Sequence, residues 1–257
     1  MSKVILCVTE GAKTEVNILE SLGSTFLPNE KIEFIKYKTS IYQLYQVMIN
    51  DNFLDTYAVL EEISTAKNNS ILSSYTRDDI AEIYLFFDLD AHDNLALKNP
   101  NCIKEMLNLF NNETQNGKLY ISYPMVEAFK HPVEIDSFYD IVKGTTYKSH
   151  VAIICNKKLE NFNNHALTRE SWSIFLVQHI ITTNFLLNDY QTYPKEYSEI
   201  VDIFTQYAIY QNQLQKYITH YNKVLVLSPF SLFLIDYLGE SLFYEWKAIY
   251  ENKIPKI

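Results

Sequence analysis

Glycine is the conspicuous shortage: there are 5 in 257 residues, about 2% where roughly 7% is usual. That scarcity excludes extended phosphate-cradling loops, and neither GxxxxGK[ST] nor GxGxxG occurs in the chain. Arginine is rarer still. Arg77 and Arg169 are the only two, which excludes a phosphate-clamping surface rich in guanidinium. The cysteines Cys7, Cys102 and Cys155 are odd in number and far apart, so neither a disulfide scaffold nor a CxxC-type zinc site is expected. Cys7 stands in an apolar run and reads as a buried thiol. Membrane-length apolar runs are missing as well: the most apolar later stretch, Ser171 to Leu187, is interrupted by Gln178, His179, Thr182, Thr183 and Asn184, short of about 20 unbroken residues. Met1-Ser2-Lys3 enters the first apolar run without a signal-peptide pattern. The expectation is a soluble, cytoplasmic chain with no membrane partner.

What is present is enough for a core. Apolar residues make up 47% of the sequence, which suits one large domain or two modest ones. The formal charge is −9, and it is uneven: residues 1–130 carry 11 basic and 18 acidic side chains, residues 131–257 carry 11 and 13. Such a chain does not attract polyanions at long range. If it handles nucleic acid, metal ions or a partner must supply the positive charge.

The first half alternates strand and helix signals. Val4 to Val8 is a short, continuous apolar run, the pattern of a parallel strand covered on both faces. Val16, Ile18, Leu19, Leu22 and Phe26 follow at helical spacing, then a strand over Ile32 to Tyr37 and a helix over Ile41 to Met48. Ile83 to Phe87 is the clearest strand, followed by a helix over 101–113 and a strand at Leu119-Tyr120-Ile121. Glu61 to Asp79 reads as a loop or irregular insertion. This predicts an α/β fold over residues 1–135, with a mostly parallel four-stranded sheet flanked by helices.

Residues 136–257 read as an α-helical region. After Pro194, the positions Ile200, Ile203, Tyr207, Tyr210, Leu214, Tyr217 and Tyr221 recur at alternating steps of three and four, a heptad seam. It is taken as the buried face of a helical hairpin, with a homo-oligomer joined through these C-terminal helices as the alternative. Ser231 to Tyr250 gives a last amphipathic helix.

In an open parallel sheet, ligands gather outside the carboxyl ends of the strands. The first strand ends in Thr9-Glu10-Gly11, the third in Asp88-Leu89-Asp90, and the fourth in Ser122-Tyr123-Pro124-Met125-Val126-Glu127. Each delivers a carboxylate or hydroxyl to one predicted edge. Alternate residues of an extended segment point the same way, so Asp88 and Asp90 can face one ion. Crowded like charges are unfavourable without a cation, and magnesium prefers oxygen donors with one or two carboxylates. The grouping therefore points to Mg2+ or Mn2+, one ion or two about 4 Å apart.

These residues resemble a known family. Glu10-Gly11-x-x-Thr14-Glu15 after the first strand, followed by Asp88-x-Asp90, is similar to the Toprim domain of topoisomerases, bacterial primases and OLD-type nucleases. Ser122-x-Pro124-x-x-Glu127 resembles the serine-proline-glutamate segment of RloB-like and related OLD-type proteins, several of which act in phage defence. The resemblance covers roughly residues 1–135. It implies a Toprim-like catalytic domain there, with a metal-dependent nuclease activity on DNA or RNA, tRNA included. It also implies an anti-phage role beside a separate ATPase or sensor protein. Glu10 would be the indispensable acid, as ligand or general base. Asp88 and Asp90 would hold metal, Glu15 and Glu127 would complete a second ion site, and Ser122 would position ligands or the scissile phosphate. One departure from the family is that Ala91-His92-Asp93 follows Asp90 where many Toprim proteins have a glycine. That favours a nuclease over a topoisomerase or primase.

Each residue also has a plainer reading. Glu15 suits the N-terminal turn of a helix, and Glu127 suits the opening of another. Lys13 is a candidate phosphate-binding cation, though lysines in a first helical turn are common. His92 is read as a loop histidine rather than a proton carrier. His131, His150, His165, His179 and His220 share no ligand spacing. Two rival functions remain. One is a non-catalytic Toprim-like module that binds a partner. The other is a glycosyltransferase using Asp88-x-Asp90 on a nucleotide sugar, which leaves Glu10-Gly11 and Ser122-x-Pro124 unexplained.

Overall fold

The computed structural model describes residues 3–11, 13–50, 55–63, 70–89, 101–132, 138–140, 144–155 and 167–253. The chain divides into two compact units, Met1–Tyr120 and Ile121–Ile257. The sequence pattern places the boundary after residue 135, whereas the two compact units divide after Tyr120.

The first unit is α/β. Its strands are β1 (Val4–Thr9), β2 (Lys31–Lys36), β3 (Ile80–Asp88), β4 (Asn111–Asn112) and β5 (Gly117–Ser122, whose last two residues fall in the range of the second unit), in the order β2-β1-β3-β5-β4. β1 runs parallel to both neighbours, with Thr9 level with Lys36 on one side and with Phe86 on the other. All six β1 residues are buried, as its unbroken apolar run demands of a central parallel strand. The sheet has five strands and not four. The extra one, β4, is two residues long and pairs antiparallel with β5, too short to leave an apolar signature.

The helices are α1 (Thr14–Phe26), α2 (Ile41–Asn50), α3 (Thr56–Ile63) and α4 (Cys102–Leu109). α1 buries Val16, Ile18, Leu19, Leu22 and Phe26, the stripe its spacing predicts. α3 corrects the reading of residues from Glu61 onward as loop, since a helix already occupies Thr56–Ile63. Arg77 explains how the neighbouring segment is held. Its Nε donates to Asp55 at 2.9 Å, and its two terminal nitrogens donate to the carbonyls of Ile80 and Thr114, each at 3.1 Å. One guanidinium thus ties three backbone segments together.

The second unit is mainly helical but contains a small sheet that the sequence pattern misses. Its elements are β6 (Phe138–Asp140), α5 (Gly144–Ile154), α6 (Arg169–Asn188), α7 (Gln206–Gln213), β7 (Lys223–Leu225), α8 (Phe230–Leu238) and α9 (Glu240–Lys253). β6 and β7 pair antiparallel. α6 runs through the core, burying Trp172, Leu176, Val177 and Ile180. Its Ser173 hydroxyl accepts from the Trp246 indole on α9 at 3.0 Å, and Arg169 makes a two-pronged pair with Glu245.

Two periodic readings are corrected here. The heptad seam is not one helix: Ile200 and Ile203 precede α7, and after Gln213 the helix widens into a π turn over Leu214–Ile218. Ile200 is buried, but Ile203 is 45% exposed and Tyr221 68%, so the seam is not one continuous buried face. The final helical stretch is likewise broken, at Gly239, whose φ of 67° and ψ of −147° suit glycine almost alone.

Candidate functional site

The parallel register brings the carboxyl ends of β1 and β3 to one edge of the sheet. Glu10 continues the ladder past β1, its amide donating to the Phe86 carbonyl at 3.2 Å. Its side chain then reaches toward the end of β3, where Oε2 accepts from the Asp88 amide at 3.2 Å. Both acids are half-buried. A carboxylate in such a place requires donors or a cation, and the Asp88 amide is one donor for Glu10.

The turn after β1 is tightly tied. Thr9, fully buried, donates through Oγ1 to the Gly11 carbonyl at 2.9 Å. The Gly11 amide donates to Glu15 Oε1 at 3.1 Å. Glu15, only 6% exposed, folds back from the first turn of α1 over this loop. Lys13 is the exposed residue that precedes α1. Glu10 and Glu15 thus each accept from a backbone amide at the β1 and β3 ends, that of Asp88 and that of Gly11, while Asp90 and His92 lie outside the described residues.

Ser122 and Glu127 belong to the second unit. Ser122 is the last residue of β5 and is buried. Tyr123 then exchanges two backbone hydrogen bonds with Leu227, at 2.9 and 3.0 Å, and the Tyr123–Pro124 peptide is cis. Glu127 lies on a 3-10 turn, Val126–Lys130, buried and paired with Lys148 of α5 at 2.8 Å. No pattern in the sequence pointed to Lys148 as its partner, because that contact joins two elements with no shared period.

No family model, curated protein or solved structure matches the chain. The site is therefore read from its own chemistry. Among the described residues no group of three or more His, Cys, Asp and Glu side chains is placed to hold a metal. Glu10 and Asp88 stand at the ends of adjacent strands, with Glu10 Oε2 on the Asp88 amide, and their carboxylates are hard oxygen donors. That donor set fits magnesium or manganese and does not fit a soft thiolate-seeking ion.

A second group of titratable side chains lies in the second unit. His131 stacks on Tyr147, ring centroids 5.9 Å apart, and the His150 ring is 6.2 Å away. Burial, and then the neighbouring His150, push the His131 pKa down to about 4. His179 is enclosed in the core, where its Nδ1 accepts from the Ser228 amide at 3.3 Å. Burial first and His131 second lower its pKa to about 3. Both are neutral at ordinary pH. His165 lies outside the described residues, and no spacing along the chain joins the others.

Proposed function

We propose that the first unit is the catalytic part of a Toprim-type, metal-dependent nuclease that hydrolyses phosphodiester bonds in DNA or RNA. The observation that carries this reading is the convergence of Glu10 and Asp88 at the carboxyl ends of two adjacent parallel strands, joined by the Asp88 amide on Glu10 Oε2. Glu10, Asp88 and Asp90 would hold Mg2+ or Mn2+. Such an ion, when bound, supplies compensation of phosphate negative charge and a lowered pKa for a water nucleophile.

The chain's own residues account for the rest. Glu10, fixed at its amide and at its carboxylate, orients its charge toward the end of β3 and serves as the indispensable acid. Lys13, exposed before α1, offers a cation to a phosphate oxygen. Both arginines are occupied in structural bonds, and the net charge is −9, so substrate binding depends on the metal and on an added partner. The resemblance supplies that partner as a separate ATPase or sensor within an anti-phage system.

The test is Mn2+- or Mg2+-dependent cleavage of plasmid DNA and of total tRNA by the native chain, Glu10→Ala and Asp88→Ala/Asp90→Ala, each checked for folding by circular dichroism. Cleavage is expected to fall at least about 100-fold in both variants and to stop in chelator. Cleavage that survives either substitution overturns the proposal.

A further inference from the structure

We propose that Glu15 is a positioning residue, a latch on the Glu10–Gly11 turn, and not a metal ligand. The inference rests on the metal-dependent reading of Glu10 and Asp88 and assigns Glu15 a different task within it.

Glu10 and Gly11 share one peptide unit. The Gly11 amide belongs to the same plane as the Glu10 carbonyl, so its bond to Glu15 Oε1 at 3.1 Å fixes the torsion that follows the Glu10 Cα. The bond from the Glu10 amide to Phe86 fixes the peptide unit on the other side. With both flanking planes held, the Glu10 side chain leaves its Cα in one direction, the one from which Oε2 meets the Asp88 amide. Thr9 Oγ1 on the Gly11 carbonyl closes the next plane. The site carboxylate thus owes its aim to bonds made by its neighbours.

The space around Gly11 is filled by the same carboxylate. A Cβ built there would stand 2.6 Å from Glu15 Oε1 and 2.7 Å from its Cδ, and nearer still to Oε2. A larger residue at this position would displace the Glu15 carboxylate. The carboxylate occupies the volume that any larger residue would claim, and it is 6% exposed, seated against the loop. Its place in the first turn of α1 adds the favourable end of the helix dipole.

Glutamine separates latch from ligand. Its side-chain carbonyl still accepts from the Gly11 amide, whereas it lacks the charge that a hard cation selects. Two readouts are taken on the full chain with Glu15→Ala and Glu15→Gln. They are hydrogen exchange at the Gly11 amide in chelator, and Mn2+ affinity by calorimetry. Glu15→Ala is expected to speed exchange about tenfold or more and to weaken Mn2+ binding, while Glu15→Gln restores most of both. Glu15→Gln that loses Mn2+ as fully as Glu15→Ala, with the Gly11 amide still protected, overturns the latch. Should Glu15→Ala not fold, Gly11→Ala keeps the carboxylate but evicts it. It is expected to weaken Mn2+ binding alike and to speed exchange at the residue-11 amide about tenfold or more; native-like exchange and Mn2+ affinity in Gly11→Ala overturn the proposal. If the native chain binds no Mn2+, the metal reading fails by itself and the amide decides the latch: exchange unchanged in Glu15→Ala overturns it, and exchange accelerated there but not in Glu15→Gln sustains it.

Discussion

His131 carries a proton cost that is readable at the level of one ring. It is partly buried against Tyr147 with His150 beside it, and its pKa is pushed from 6.5 to about 4. The folded chain keeps this ring neutral, whereas the unfolded chain takes up a proton below pH 6.5. The unfolded state therefore binds more protons between about pH 6.5 and 4, and stability present at neutral pH is lost as the pH falls through that window. The urea midpoint is expected to drop between pH 7 and pH 4.5, and to drop less in His131→Phe. Equal slopes for the two proteins would remove His131 as the source, leaving His179, whose pKa is about 3, to account for the effect. The contrast with Glu10 is instructive: a carboxylate at the sheet edge is stabilised by an amide donor, while an imidazole in a packed interface is stabilised by staying uncharged.

At the scale of an element, Gln213 shows how a short strand is completed without another strand. Its amide nitrogen donates to the Leu225 carbonyl at 2.7 Å, and its oxygen accepts from the Leu225 amide at 2.9 Å. The side chain is fully buried and stands in for a ladder partner of β7. Gln206 does the same for the Ile121 amide at 3.2 Å. Gln213→Met removes both partners of a buried backbone unit and is expected to cost about 2–3 kcal/mol, measured by urea unfolding. A loss under about 0.5 kcal/mol would show that Leu225 has other partners. This also explains the failed heptad. A period of apolar residues does not report a buried glutamine, nor the π turn at Leu214–Ile218 that shifts every later side chain around the helix axis.

At the scale of the whole molecule, charge sets the terms. With −9 overall, the metal-dependent reading proposed above predicts that a divalent cation stabilises the fold. Mn2+ at about 100 times its dissociation constant is expected to add about 2.7 kcal/mol of stability. It would be seen as a rise in thermal midpoint that Glu10→Ala abolishes. The same rise in Glu10→Ala would place the ion elsewhere. No helix among the described residues is long and apolar enough to cross a membrane, in keeping with the interrupted run at Ser171 to Leu187.

The amino-acid sequence by itself determined β1, α1, β3 and the parallel character of the first sheet, because a buried strand and an amphipathic helix each write their period into consecutive residues. It also determined that acids follow the β1 and β3 strands. Tertiary structure alone decided that Glu10 reaches the Asp88 amide, that Glu15 fills the space over Gly11, that Glu127 pairs with Lys148, and that two glutamines finish strand edges. Those are contacts between residues with no common period, set by where the backbone brings polar groups together and by the cost of leaving any of them buried without a partner.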